Sequence, residues 1–105
     1  MGVKAVTSLA EFQQIINEDK YTVFDFWAPW MGPCRVTSPL FEKLSGEYEH
    51  IDFYKVDVDT QPEISKEVDI KTLPAFKLFK KGEQINQFIG ASRDRMVALL
   101  QQASV

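Results

Sequence analysis

The chain alternates between runs of apolar residues that recur every three or four positions and shorter runs that are apolar almost throughout. Leu9, Phe12, Ile15 and Ile16 fall at helical spacing. Ser8-Leu9-Ala10-Glu11 before them has the form of a capping box, in which the serine accepts an early helix amide and the glutamate reaches back. A first amphipathic helix is predicted. Tyr21 to Trp27 is β-branched, aromatic and nearly all apolar, as suits a central strand covered on both faces. Asp25 in its middle is the exception. After a Pro/Gly-rich turn, Val36, Leu40, Phe41, Leu44 and Tyr48 predict a second helix, with a kink expected at Pro39.

Ile51 to Val58 returns to strand character. Thr60-Gln61-Pro62-Glu63 reads as a second capping box, with the proline in the first turn where its missing N–H costs nothing. A short helix from Pro62 to Val68 is predicted to follow. Ala75–Phe79 and Gln84–Ile89 read as strands joined by Lys80-Lys81-Gly82-Glu83, an antiparallel hairpin. Ser92 caps a last helix with Met96, Val97, Leu99 and Leu100 on its apolar side, and Val3 to Thr7 is a possible extra strand. Strand–helix–strand order demands parallel pairing, whereas the hairpin demands antiparallel pairing. The expected architecture is therefore α/β: a mixed sheet of four to five strands with helices on both faces.

Composition narrows the function classes. The 105 residues suffice for one domain, residues 1–105, with 45% hydrophobic and 26% charged residues. Twelve basic and fifteen acidic residues give a net charge of −3, which offers no basic footprint for nucleic acid. No apolar run reaches the roughly 20 residues of a membrane helix. No charged leader with an apolar core opens the chain, so no secretory signal is expected. A single cysteine excludes an intrachain disulfide and suits a reducing compartment, so a soluble cytoplasmic protein is expected. His50 is the lone histidine, expected to be solvated, and no metal site accompanies it. Asp57-Val58-Asp59 reads as a solvated acidic pair rather than a calcium loop. No phosphate-cradling glycine loop is present, and no cofactor is implied.

The segment carrying chemistry is Trp27-Ala28-Pro29-Trp30-Met31-Gly32-Pro33-Cys34, placed between an apolar strand and a helix. It resembles the Trp-Cys-Gly-Pro-Cys redox loop of the thioredoxin family, with Met31 where the first cysteine stands. The resemblance extends over essentially the whole chain. Leu73-Pro74-Ala75 is similar to the segment carrying the family's cis-proline, and Gly90 to the glycine that lets substrate backbone lie close. Asp25 matches the buried carboxylate beneath the second cysteine, and Lys55 the lysine near it. Asp69 and Leu73 depart from the family's usual glycine and smaller or β-branched residue.

What the resemblance implies is protein-disulfide reduction, with thioredoxin reductase as a partner. The exposed first cysteine attacks a substrate disulfide to form a mixed disulfide, and the second displaces the reduced product. Asp25 would accept the proton of the second thiol. Here only that second thiol, Cys34, remains, expected one turn inside the helix and largely covered, so normal dithiol turnover should be lost. Met31 reads as an exposed apolar residue beside Trp30, or alternatively as a polarizable groove contact or sulfoxide sensor. Trp27 is expected to pack, and Trp30 to lie on the loop's rim. Three functions stand side by side. One is a thioredoxin variant without turnover. Another is a non-catalytic module binding protein or peptide in a groove of Trp30, Met31, Gly32, Pro33, Leu73, Pro74 and Gly90. The third is a slow monothiol redox protein acting through Cys34.

Overall fold

A computed structural model describes residues 2–103. The elements in chain order are β1 (Val3–Ala5), α1 (Leu9–Ile16), β2 (Tyr21–Trp27), α2 (Gly32–Ser45) and β3 (Ile51–Asp57). They continue with α3 (Pro62–Glu67), β4 (Ala75–Lys80), β5 (Glu83–Ile89) and α4 (Arg93–Gln101). One five-stranded sheet orders them β1-β3-β2-β4-β5. β1 and β2 both run parallel to β3, while β4 runs antiparallel to β2 and to β5. The mixed sheet expected from the pattern is present, with β1 as its fifth strand.

Successive side chains of a strand point to opposite faces, and this splits the core in two. Val23 on β2, Phe53 on β3 and Phe76 and Leu78 on β4 pack under Phe41 and Leu44 of α2 and Met96, Leu99 and Leu100 of α4. Phe24, Phe26, Val56, Ala75 and Phe79 face Phe12 and Ile15 of α1 and Ile64 of α3. Phe12 is the hub of that second face, with its ring edge-on to Phe24, Phe26 and Phe79 at centroid distances of 4.9, 6.3 and 5.9 Å. Asp25 lies between Val23 and Trp27 in the alternation, so its carboxyl is committed to the α2 face.

Local signals mostly hold. Ser8 accepts from the Glu11 amide at 3.0 Å, and Glu11 Oε1 accepts from the Thr7 amide at 2.8 Å, one residue before the expected Ser8 amide. Ser92 accepts from the Arg95 amide at 3.2 Å, capping α4. The hairpin is tighter than expected, since Lys80 pairs with Glu83 and only Lys81 and Gly82 turn. Both have positive φ, 53° and 80°, the geometry of a two-residue turn matched to strand twist. The capping box at Thr60 does not form. Gln61 is the N-cap of α3 with no side-chain bond, and the Thr60 hydroxyl instead donates to the Asp57 carbonyl at 3.3 Å. α2 begins at Gly32 and continues through Pro39. His50 is half-buried rather than solvated, with Nε2 2.7 Å from the Ala103 carbonyl, which ties the β3 entry to the turn after α4.

Candidate functional site

The loop before α2 is built so that its one thiol is covered and its first position caps the helix. Met31 is the N-cap of α2, in extended conformation, with Pro33 in the first turn where a missing N–H is harmless. The Met31 amide donates to the Ala28 carbonyl at 3.1 Å, and the Met31 carbonyl accepts from the Cys34 amide at 3.1 Å. Cys34 is thus the third helical residue, and it is 2% exposed. Burial pushes its thiol upward from 9.0; an Ala28 backbone hydrogen bond pulls the other way, and the charge of Asp25 adds to the rise. Met31 itself is half-buried rather than exposed, while Gly32 and Pro33 are open to solvent.

Asp25 lies beneath this turn, 1% exposed. Its pKa is raised from 3.8 to about 7, chiefly by desolvation, against a hydrogen bond from Ser38 and the charge of Lys55. Ser38 Oγ donates to Asp25 Oδ2 at 3.4 Å, whereas Oδ1 has no protein partner. Lys55 is the register neighbour of Asp25 on the parallel strand β3. Its ammonium sits 5.9 Å from the centroid of the Trp27 ring, and the Trp27 indole N–H is likewise buried without a protein partner. Asp25, Trp27, Ser38 and Lys55 share a cavity of about 110 Å³, roomy enough for water beside the two orphaned polar atoms. A carboxyl that titrates near neutrality next to a buried thiol is suited to accept that thiol's proton.

Pro74 enters through the register of β4. Phe26 pairs with Ala75, which sets Pro74 at the end of the sheet where β2 runs into the 28–31 turn. The Leu73–Pro74 peptide is cis, and the Gly90 amide donates to the Pro74 carbonyl at 2.9 Å. Gly90 has φ +116°, and a Cβ there would meet no atom within 4 Å, so its bareness leaves open surface and its conformation favours glycine. Leu73 is half-buried and packs against the α1/α3 side of the core. Asp69, the departure from glycine, holds φ 55°, a left-handed conformation in which aspartate is among the better-tolerated residues.

Residues 3–102 match the sequence pattern of the thioredoxin family. The chain belongs to the thioredoxin family. It is 43% identical over 103 residues to thioredoxin of Coprinus comatus, across 96% of this chain and 97% of that relative. Thioredoxin-1 of Schizosaccharomyces pombe is 42% identical, across 91% and 93% of the two chains. The solved thioredoxin of Malassezia sympodialis superimposes with a TM-score of 0.94 at 40% identity, covering 100% of this chain and 96% of its own. That of Plasmodium falciparum gives 0.92 at 36%, covering 96% and 99%.

Two residues of this thioredoxin site escaped the sequence reading. Asp59 is no idle solvated carboxylate: its Oδ2 accepts from the Trp30 indole N–H at 2.8 Å and pins a ring that is 62% exposed. Twenty-nine positions separate the pair, so no local pattern signals it. Ser38 was detectable, because it follows Cys34 by one helical turn and therefore shares its face. Among the described residues no cluster of histidine, cysteine and carboxylates is arranged to hold a metal. No described helix is long and apolar enough to cross a membrane.

Proposed function

We propose that this thioredoxin-family chain retains the groove and proton-accepting apparatus of a protein-disulfide reductase but does not turn over as a dithiol. The observation that carries the reading is the pairing of Met31 at the helix N-cap with a single cysteine at 2% exposure. Disulfide reduction needs a thiolate in contact with the substrate sulfur, and a thioether has no proton to lose and cannot end as a neutral disulfide, because its sulfur already holds two carbon bonds. Cys34 could act only after uncovering. Its raised pKa leaves less thiolate than the few per cent of an ordinary thiol near pH 7.

The remaining features support binding. Trp30 and Val36 expose apolar surface on either side of the loop, and the bond to Asp59 holds the Trp30 ring in place. Gly90 leaves open surface at the sheet end beside its backbone bond to Pro74, where an extended peptide can lie against the loop. Partners of this reading are protein or peptide segments in the groove, and a thioredoxin reductase by family. The cytoplasm is the compartment it suits. The monothiol alternative through Cys34 draws support only from the thiol's presence, and its burial weighs against it.

The test is insulin reduction driven by thioredoxin reductase. The expected result is no turnover above the reductase alone. Activity comparable to a dithiol thioredoxin would overturn the reading. Treatment with oxidised glutathione tests the alternative by mass: an unmodified Cys34 is expected, and a stoichiometric adduct would favour monothiol chemistry.

A further inference from the structure

Lys77 is the only lysine or arginine among the described residues that is buried, at 6% exposure in the middle of β4. It alternates with Ala75 and Phe79 and so faces the α1/α3 side. A cleft of about 470 Å³ opens there, between the 68–72 loop and the β4–β5 edge. Val68, Ile70, Ala75 and Ile89 supply its apolar walls, Lys77 its buried polar group and Gln87 an exposed amide.

A β-bulge equips the lysine. Leu78 pairs with Asn86 and Phe79 with Gln84, leaving Ile85 unpaired. Without that extra residue Gln84 and Gln87, three apart, would point to opposite faces. With it both reach Lys77, and their Oε1 atoms accept from its Nζ at 2.9 and 2.7 Å. An ammonium has three donors, so one remains. The two acceptors are neutral, and no carboxylate pairs with Lys77 among the described residues. A buried lysine without a counter-charge is uncommon, since the amide oxygens solvate the charge without neutralising it. Burial accordingly pulls its pKa down, opposed by the charge of Asp69. The cleft's other two charges, Asp69 and Lys71, pair with each other at 3.7 Å. The cleft thus holds one buried cation beside apolar walls, with the exposed Asp69 and Lys71 at its rim.

We propose that this cleft binds a short aliphatic monocarboxylate, its carboxylate accepting from the third Lys77 N–H and its alkyl chain lying against Val68, Ile70 and Ile89. The desolvation of Lys77 is already incurred on folding, so an arriving carboxylate need only shed its own water. The space falls within the usual range of small-ligand sites, about 300–1,000 Å³. A multiply charged phosphate fits poorly, because it calls for several charged donors and meets one.

The experiment is an amide NMR titration of the intact protein with sodium butyrate at constant ionic strength, with butyramide as the neutral isostere. Saturable shifts confined to residues 68–77 and 84–89 are expected with butyrate and not with butyramide. Lys77→Met should abolish them while the rest of the spectrum stays dispersed. Non-saturating shifts, equal shifts with butyramide, or an undiminished response in Lys77→Met would overturn the proposal. Should Lys77→Met fail to fold, the butyrate–butyramide comparison on the native protein decides alone.

Discussion

Asp25 makes stability depend on pH in a direction opposite to that of an ordinary carboxylate. Its pKa rises from 3.8 to about 7 on folding, which corresponds to about 4 kcal/mol of discrimination against the charged form. The sign follows from proton counting. Between those two values the folded state holds the proton more than the unfolded state, so stability falls as pH rises, levelling off above the folded pKa. The perturbation is Asp25→Asn, which removes the charge and nearly keeps the shape. Any hydrogen bond that the amide leaves unmade is independent of pH, and it cancels when two pH values are compared.

Between about pH 5 and about pH 9 the variant should gain about 2.5 kcal/mol on the native protein, the part of the full effect that lies in that window. The assay is urea unfolding of both proteins at the two pH values. The relative midpoint should move by on the order of 1 M or more, given a slope of about 1–3 kcal/mol per molar for a small domain. A difference that stays constant within about 0.5 kcal/mol across the range would mean the carboxyl ionises as if solvated, and the buried-acid argument would fail.

Other outcomes follow from the same geometry. Ser38→Ala and Lys55→Met each remove an influence that favours the Asp25 carboxylate, so each should raise its pKa further, read by carboxyl-carbon NMR titration. A downward movement in either would contradict the assignment of causes. Cys34 should alkylate with iodoacetamide at least tenfold more slowly in the folded protein than in urea, and a rate near that of a free thiol would place it at the surface. Phe12→Ala, which empties the hub of the α1/α3 side, should cost about 3–5 kcal/mol in chemical denaturation, and a loss below about 1 kcal/mol would show that the site collapses freely.

Periodicity made most of the fold legible. The nearly unbroken apolar run of β2 is what a strand between two helical layers requires, and the one charged residue inside it, Asp25, pointed to the candidate site. The Lys81-Gly82 turn was visible in its glycine, although its two-residue length depended on a pairing of Lys80 with Glu83 that composition does not disclose. The helix starts at Pro62 as expected, but the Thr60 box does not form: its hydroxyl donates to the Asp57 carbonyl and Gln61 takes the N-cap. Long-range partners were the main blind spot. Trp30 with Asp59 and His50 with Ala103 lie far apart along the chain, and Lys77 meets its two glutamines only through a bulge in the hairpin register, so none shows as a local pattern.

Met31→Cys is the change that bears most directly on the function proposed for this thioredoxin-family chain. Supplied with a thiol at the α2 N-cap, the protein should reduce insulin with thioredoxin reductase at a rate approaching that of dithiol thioredoxins, while the native chain stays at background. Equal rates for the two proteins, or continued inactivity of a folded Met31→Cys protein, would contradict the claim that the rest of the site stands ready and only the outward sulfur nucleophile is missing.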